Sequence, residues 1–141
     1  MNTRLDELQA AVLRVKLTRL DQANARRRAI AAAYRSGLEG LQLALPQEGP
    51  GETHVWHQYV ARSAERDRLR QALAERGVAT AVHYPEPAHR QPAYAGRIPI
   101  GPDGLAVTEA LAAEIISLPM YPELSDESVA RVIQAVRAAL A

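Results

Sequence analysis

The feature that most constrains the fold is a run from Thr3 to Ser36 without glycine or proline, rich in Ala, Leu, Arg and Gln. These residues favour helix, so the run predicts a long helix, with Gly37 and Gly40 marking its end. Its first part carries two apolar stripes on different sides, whereas a helix on the surface of a small domain needs only one. The stripes are Leu5, Leu8, Val12 and Val15, and Leu13, Leu17 and Leu20. We therefore expect neighbours on both sides, and a bend near Thr18 that gives two consecutive helices.

Beyond this helix, short strand-like segments alternate with helical ones. Alternation and β-branched or aromatic residues predict strands, and apolar periodicity behind a polar cap predicts helices. Strands are expected over residues 41–45, 54–62 and 78–82, and helices over 65–76 (behind Ser63), 107–116 and a last segment that Ser125 caps. The chain is therefore predicted to be α+β, with a small antiparallel or mixed sheet flanked by helices. We divide it into a linking and interface helix region, residues 1–38, and a small α+β domain, residues 39–141.

The composition argues against several classes of protein. The chain has 141 residues, no Cys, and 17 basic against 16 acidic side chains. Without Cys there is no disulfide, iron–sulfur or thiolate–zinc site, and a net charge of +1 gives no drive toward nucleic acid. No apolar run approaches the roughly 18 residues of a membrane helix, and the first residues show no apolar signal segment. We therefore expect a cytoplasmic protein that binds neither nucleic acid nor membranes.

The four histidines do not form a metal-binding pattern. His54 and His57 are three residues apart on a predicted strand, so their side chains should point to opposite faces, and a strand or interface role is favoured for both. His83 and His89 lie six residues apart in a loop, and no H-E-x-x-H or comparable set is present. We therefore predict no metal site.

Two other features allow more than one interpretation. The loop from His83 to Pro92 contains three prolines, which restrict its backbone, so it is either a substrate-facing lip or a structural loop packed on the sheet. The basic run Arg26–Arg28 lies within a helix, where a solvated face with ion pairing to Asp21 and similar groups is favoured over phosphate or RNA binding. No glycine-rich phosphate loop and no G-x-S-x-G elbow is present, so these patterns alone specify no reaction.

Four segments, in this order, resemble one known family. They are residues 2–11, 54–60, 83–94 and 117–125, with the sequences NTRLDELQAA, HVWHQYV, HYPEPAHRQPAY and SLPMYPELS. Over essentially its whole length the chain is similar to the C-terminal part of the DegT/DnrJ/StrS family of sugar aminotransferases. The resemblance implies fold-type I, the aspartate aminotransferase fold, in which a large pyridoxal-phosphate domain precedes a smaller α+β domain.

The resemblance also implies roles for individual residues. Asn2 matches an asparagine that reaches across the dimer to the cofactor phosphate of the neighbouring subunit; the alternative role for Asn2 is a helix N-cap. His83 and Tyr84 match the loop that borders the sugar-nucleotide pocket, and His89 is a further substrate-binding candidate. Residues 117–122 are expected to be structural. The family implies pyridoxal phosphate as cofactor, a nucleotide-linked sugar and an amino-acid donor as substrates, and a homodimer.

The matching segments do not include the lysine that forms the Schiff base in this family. Lys16 is the only lysine here, and it occupies a mid-helix position that the family uses for packing. Pyridoxal catalysis needs an amine that holds the cofactor and moves the substrate proton. We therefore expect no catalytic residue in this chain and no activity from it alone.

The leading hypothesis is the C-terminal portion of an enzyme that transfers an amino group from glutamate or glutamine to a nucleotide-linked keto-deoxysugar. The alternative is a stand-alone, non-catalytic dimerisation or regulatory module derived from that family. In the leading hypothesis the stripe of Leu13, Leu17 and Leu20 covers surface of the larger enzyme. Exposed to water, these side chains would form an apolar patch that drives association.

Overall fold

A computed structural model of the chain describes residues 6–141. Within these residues it contains five α-helices, one 3₁₀ turn and one two-stranded antiparallel sheet. The α-helices are α1 (Glu7–Leu17), α2 (Leu20–Leu38), α3 (Arg66–Glu75), α4 (Ala106–Glu114) and α5 (Asp126–Leu140); the strands are β1 (Tyr59–Arg62) and β2 (Ile115–Leu118); the 3₁₀ turn is Ala88–Arg90. The predicted α+β class, with a small sheet flanked by helices, is confirmed.

The start and the bend of the long helical run follow from local hydrogen bonds. Asp6 is the N-cap of α1: its carboxylate accepts from the Gln9 N–H at 2.7 Å, and the Gln9 side chain accepts from the Asp6 N–H at 3.3 Å. This reciprocal pair is a capping box. At the other end the Thr18 hydroxyl donates to the Val15 carbonyl at 2.8 Å, and α2 starts two residues later. The predicted bend near Thr18 is confirmed.

Gly37 does not mark the end of α2, which continues through it to Leu38. A Cβ atom at Gly37 would lie 2.7 Å from Cγ2 and 2.8 Å from Cδ1 of Ile133 on α5. Glycine is therefore required here for close packing of α2 on α5. Gly40, with a φ of +78°, lies just beyond the helix end.

The first helix is exposed on all sides in the part of the chain that the structure describes. No residue of α1 is buried. The large apolar side chains of both stripes from Leu8 onward are 47–76% exposed. Both apolar sides of α1 therefore lack neighbours within residues 6–141.

The strands are shorter than the sequence pattern predicted. Only the second half of 54–62 forms β1, because Trp56 has a φ of +50° and interrupts the extended backbone. The predicted strands over 41–45 and 78–82 are reduced to single bridges, Ala44 with Arg62 and Ala81 with Ser117. The predicted helix over 107–116 stops at Glu114, since the residues that follow pair antiparallel with β1.

The two predicted caps of the later helices differ in outcome. Ser125 caps α5 as predicted, its hydroxyl accepting from the Ser128 N–H at 3.2 Å. Ser63 accepts from the Glu65 N–H at 3.2 Å, but the N-cap position of α3 is Glu65.

The core lies between the sheet and helices α2, α3 and α5. Its fully buried large side chains are Ile30, Tyr34, Leu38, Tyr59, Leu69, Leu73, Ile116 and Val136. Five of these are β-branched or aromatic and none is Phe, since the chain contains no Phe. No helix within residues 6–141 combines the length and apolar character that crossing a bilayer requires.

Candidate functional site

The centre of the site is organised by Arg27 on α2. Its Nη1 atom lies 3.1 Å from the carbonyl oxygen of Trp56, 3.0 Å from that of His57 and 3.1 Å from that of Met120. These carbonyls belong to the segment before β1 and to the segment after β2. A single guanidinium therefore fastens both segments to α2, a task that suits its several directed N–H groups.

The neighbouring arginine has a different partner from the one expected. Arg26 forms an ion pair with Asp126 at 2.7 Å and donates to the Leu124 carbonyl, so it holds the start of α5. Ion pairing of this run with an acidic group is confirmed for Arg26, but the partner is Asp126 and not Asp21. Arg26 and Arg27 make tertiary contacts, whereas Arg28 is exposed.

Trp56 takes a conformation that is rare for a bulky side chain, with a φ of +50°. Its N–H donates to Nδ1 of His54 at 2.8 Å, and its buried ring lies 5.6 Å from the ring of Tyr59. The surroundings thus hold the strained turn in place. The prediction that His54 and His57 lie on opposite faces of one strand is wrong, because β1 begins only at Tyr59. The turn leaves the His57 side chain exposed.

A cleft of about 280 Å³ lies beside the sheet. We call it the sheet cleft; the polar side chains in its lining are those of His57, Gln58, Thr80, His83 and Ser117. Nδ1 of His83 lies 2.9 Å from Oγ of the buried Ser117. The hydroxyl orients the imidazole at the rim of the cleft. The Tyr84 ring is 75% exposed and stands at 85° to that of His83, with ring centroids 6.0 Å apart.

His89 lies in a different environment. Its Nε2 atom donates to Glu109 of α4 at 2.9 Å, and Arg90 donates to the other carboxylate oxygen at 2.7 Å. The hydrogen bond from His89, helped by the charge of Arg90, lowers the pKa of Glu109 below its ordinary value. These contacts fasten the 3₁₀ turn to α4. The His89 side chain is only 9% exposed and does not line the sheet cleft.

A second and larger cleft, of about 670 Å³, lies on the other side of His57. We call it the helix cleft, because it is bounded by the junction of α1 and α2. Its charged lining consists of Lys16, Arg19, Arg27 and Glu123, and Leu20, Val55 and Pro122 supply apolar walls. Three cations thus face one carboxylate, and His57 lines both clefts.

The structure brings together some of the residues that the sequence singled out. His83 lines the sheet cleft, the adjacent Tyr84 is exposed outside the lining, and His89 is bound to α4. Asn2 lies outside the described residues. Within residues 6–141 no group of three or more His, Asp or Glu side chains could hold a metal ion.

Sequence reasoning missed three residues of the site. His57 was given a strand or interface role, Ser117 a structural one, and Arg27 a solvated one. For His57 and Ser117 the sequence did carry a signal, since they belong to the family-like segments 54–60 and 117–125, respectively. Nothing local to Arg27 indicates acceptors that lie 29 and 93 residues away.

Comparison with known proteins agrees with the resemblance of the four segments. Residues 1–137 match the sequence model of the DegT/DnrJ/EryC1/StrS aminotransferase family. The chain is 49% identical over 138 residues to the dTDP-3-amino-3,4,6-trideoxy-alpha-D-glucose transaminase of Streptomyces venezuelae, covering 96% of this chain and 36% of that protein. It is 46% identical over 138 residues to the erythromycin biosynthesis sensory transduction protein EryC1 of Saccharopolyspora erythraea, covering 97% and 37% respectively.

The fold has counterparts among solved structures. The crystal structure of S. venezuelae DesV in complex with a ketimine intermediate superimposes with a TM-score of 0.92 at 47% identity, covering 98% of this chain and 37% of that one. The structural neighbours are fold-type I aminotransferases. The chain spans a little over a third of the length of the relatives it matches.

Proposed function

Because the chain belongs to the DegT/DnrJ/EryC1/StrS aminotransferase family, we propose that it is the C-terminal portion of an enzyme that transfers an amino group to a nucleotide-linked keto-deoxysugar. The observation that carries the proposal is the match along nearly the whole chain to just over a third of such enzymes. The names of the relatives support a dTDP-linked sugar aminated at the 3-position. Glutamate or glutamine is the proposed amino donor.

Enzymes of this family depend on pyridoxal phosphate, and the described residues do not fit an anchor for it. Lys16, the only lysine, is exposed on α1. Glu123, the one carboxylate in the lining of the same cleft, is exposed as well. A lysine activated for Schiff-base chemistry is held in a desolvated or specifically charged site. We therefore assign the lysine that binds the cofactor covalently to the part of the relatives that this chain does not cover. We expect no turnover by this chain alone.

The contribution of this chain is to shape the substrate pocket. His83 offers an imidazole in the lining of the sheet cleft and the adjacent Tyr84 an exposed phenol, and both groups can hydrogen-bond sugar hydroxyls or a diphosphate. Ser117 supports this role by orienting His83. His89 remains a substrate-binding candidate only through Nδ1, since Glu109 already accepts from Nε2. Asn2 is proposed to bind the cofactor phosphate across a dimer.

The two-part division of the chain is proposed on the same basis. Residues 1–38 form the linking and interface region, and residues 39–141 form the small domain. The absence of buried residues in α1 supports an interface role for this helix. The later half of α2 packs into the core through Ile30, Tyr34 and Leu38, so the two regions are joined firmly.

A chimera tests the proposal. The corresponding C-terminal segment of the S. venezuelae transaminase is replaced by this chain, and amination of the dTDP-linked keto sugar is measured. We expect the chimera to be active, His83→Ala together with Tyr84→Phe to reduce its activity, and the separate 141-residue chain to be inactive. A chimera that folds and binds pyridoxal phosphate but does not turn over would contradict the proposal, and so would turnover by the separate chain.

The alternative is a non-catalytic dimerisation or regulatory module. It is kept because one relative bears the name of a sensory transduction protein. This function predicts an inactive chimera, together with a dimer of the separate chain that forms without any other domain. The chimera experiment therefore distinguishes the two functions.

A further inference from the structure

Ser117 has a fixed position in the middle of the sheet. On one side it pairs with Val60 of β1. On the other side its N–H donates to the Ala81 carbonyl at 2.8 Å, and its carbonyl accepts from the Ala81 N–H at 3.2 Å. The residue is only 6% exposed. The backbone of Ser117 is therefore held from both sides, which fixes the Cβ atom that carries the hydroxyl.

The hydroxyl of Ser117 has a single hydrogen-bond partner among the described residues, Nδ1 of His83 at 2.9 Å. A hydroxyl carries one hydrogen, and a neutral imidazole carries a hydrogen on only one of its two nitrogens. If Nδ1 of His83 carried the hydrogen, it would donate to the Ser117 oxygen, and the hydroxyl hydrogen would have no acceptor within residues 6–141. Because an unmade hydrogen bond of a buried group is costly, the hydroxyl donates and Nδ1 accepts. The imidazole hydrogen then lies on Nε2.

This arrangement determines what His83 offers to the sheet cleft. Its ring lines the cleft, and no group in the part of the chain that the structure describes is hydrogen-bonded to its Nε2 atom. With Nδ1 engaged as an acceptor, the ring has one free hydrogen-bonding group, the Nε2–H donor. A neutral donor matches an oxygen acceptor such as a carbonyl, hydroxyl or phosphate oxygen. A ring in this state has no free nitrogen that could take a proton from a ligand.

His57 lines the same cleft without such a partner. The contact of this residue with Arg27 is made by its backbone carbonyl, and among residues 6–141 no group is hydrogen-bonded to its imidazole. The His57 ring is therefore free to take either tautomer. It serves as an internal reference for His83.

We propose that Ser117 is a positioning residue that holds His83 in the Nε2–H tautomer, so that the sheet cleft presents a neutral hydrogen-bond donor to an oxygen acceptor of its ligand. The statement about the ligand rests on the proposed function, whereas the tautomer follows from the contact between Ser117 and His83 alone.

The first test records the ring ¹⁵N signals of the histidines in the labelled chain at about pH 8, above the ordinary imidazole pKa. A ring nitrogen that carries hydrogen resonates far from one that does not, so the spectrum reports the tautomer. The variants are Ser117→Ala, Ser117→Thr and, as the matched control, Ser63→Ala. Ser63 is 5% exposed, its hydroxyl accepts from the Glu65 N–H, and it does not line the sheet cleft.

We expect the Nε2–H tautomer of His83 in the wild type, in Ser63→Ala and in Ser117→Thr, which keeps the hydroxyl. In Ser117→Ala the ratio of Nδ1–H to Nε2–H forms should rise by about two- to tenfold, the factor that one hydrogen bond contributes. The signals of His57 should not change in any variant. An Nδ1–H tautomer of His83 in the wild type, or unchanged His83 signals in Ser117→Ala, would overturn the proposal.

The second test uses the chimera described above. Ser117→Ala should raise the KM for the keto sugar by about two- to tenfold and keep kcat within about twofold, because a binding contact loses its fixed donor. A fall in kcat together with an altered pH profile would show that His83 acts as a base, and would overturn the donor role. An inactive wild-type chimera would reject the proposed function, whereas the tautomer is measured without turnover and decides the role of Ser117 by itself.

Discussion

Tyr34 of α2 and Tyr59 of β1 meet edge to face in the core, with ring centroids 5.1 Å apart and an angle of 61° between the ring planes. Both side chains are fully buried, but their hydroxyls differ. Tyr34 donates to the Pro119 carbonyl at 2.8 Å, whereas the Tyr59 hydroxyl has no hydrogen-bond partner among the described residues. Burial raises the pKa of both phenols, that of Tyr59 to about 12.

The two tyrosines should therefore respond oppositely to loss of the hydroxyl. Tyr34→Phe removes a made hydrogen bond and leaves the Pro119 carbonyl unpaired, so it should destabilise the chain by about 1–2 kcal/mol. Tyr59→Phe removes a buried unpaired group and should leave the stability unchanged or higher. Urea unfolding of the two variants measures the difference. Equal losses in both variants would contradict the assignment.

The 3₁₀ turn should loosen in acid through Glu109. The pKa of Glu109 is lowered in the folded chain. The stabilisation by its ionised carboxylate is therefore complete above the ordinary carboxyl pKa and is lost as the pH falls through the lower folded value. Glu109→Gln should produce the loosening at neutral pH, because His89 and Arg90 lose their charged acceptor. Amide hydrogen exchange over residues 88–95 measures it.

The control for that experiment is Glu114→Gln on the same helix. Glu114 pairs with Arg62 rather than with the 3₁₀ turn, so its loss should leave exchange over residues 88–95 unchanged. Unaltered exchange in Glu109→Gln would show that the turn is held by other contacts.

Gly37→Ala should destabilise the contact between α2 and α5. Alanine favours helix by about 1 kcal/mol, but its methyl group would overlap Ile133, and overpacking costs about 1–3 kcal/mol. We expect a net loss in thermal unfolding, and less than additive loss when Ile133→Ala is added, because the two sites are in contact. Ser36→Ala, at the exposed adjacent position, serves as control. A stabilised Gly37→Ala would show that Ile133 moves aside freely.

The bare apolar stripes of α1 should cause the chain to associate. Leu17 is 62% exposed on this helix, and burying such a patch is favourable. Sedimentation velocity should show association that depends on concentration and weakens in Leu17→Glu. Val107→Glu introduces the same charge at a 74% exposed site on α4 and should have little effect. A wild-type monomer at high concentration would count against the interface role of α1.

Features that depend on neighbours along the chain could be predicted from the sequence. The bend at Thr18, the Ser125 cap and the α+β class follow from local hydrogen bonds and hydrophobic periodicity, which operate over a few residues. The four family-like segments also led to the correct family. The candidate residues His83 and Tyr84 could be named, but not the contact of His83 with the buried hydroxyl of Ser117.

Other features depend on residues that lie far apart in the sequence. Gly37 lies inside α2, where the lack of a side chain allows close packing on Ile133 of α5. The predicted strands over 41–45 and 78–82 each form only one bridge, Ala44 with Arg62 and Ala81 with Ser117. Arg27 finds its acceptors 29 and 93 residues away. Local propensity contributes at most about 1 kcal/mol at such positions, so burial and long-range hydrogen bonds, which only the packed chain defines, outweigh it.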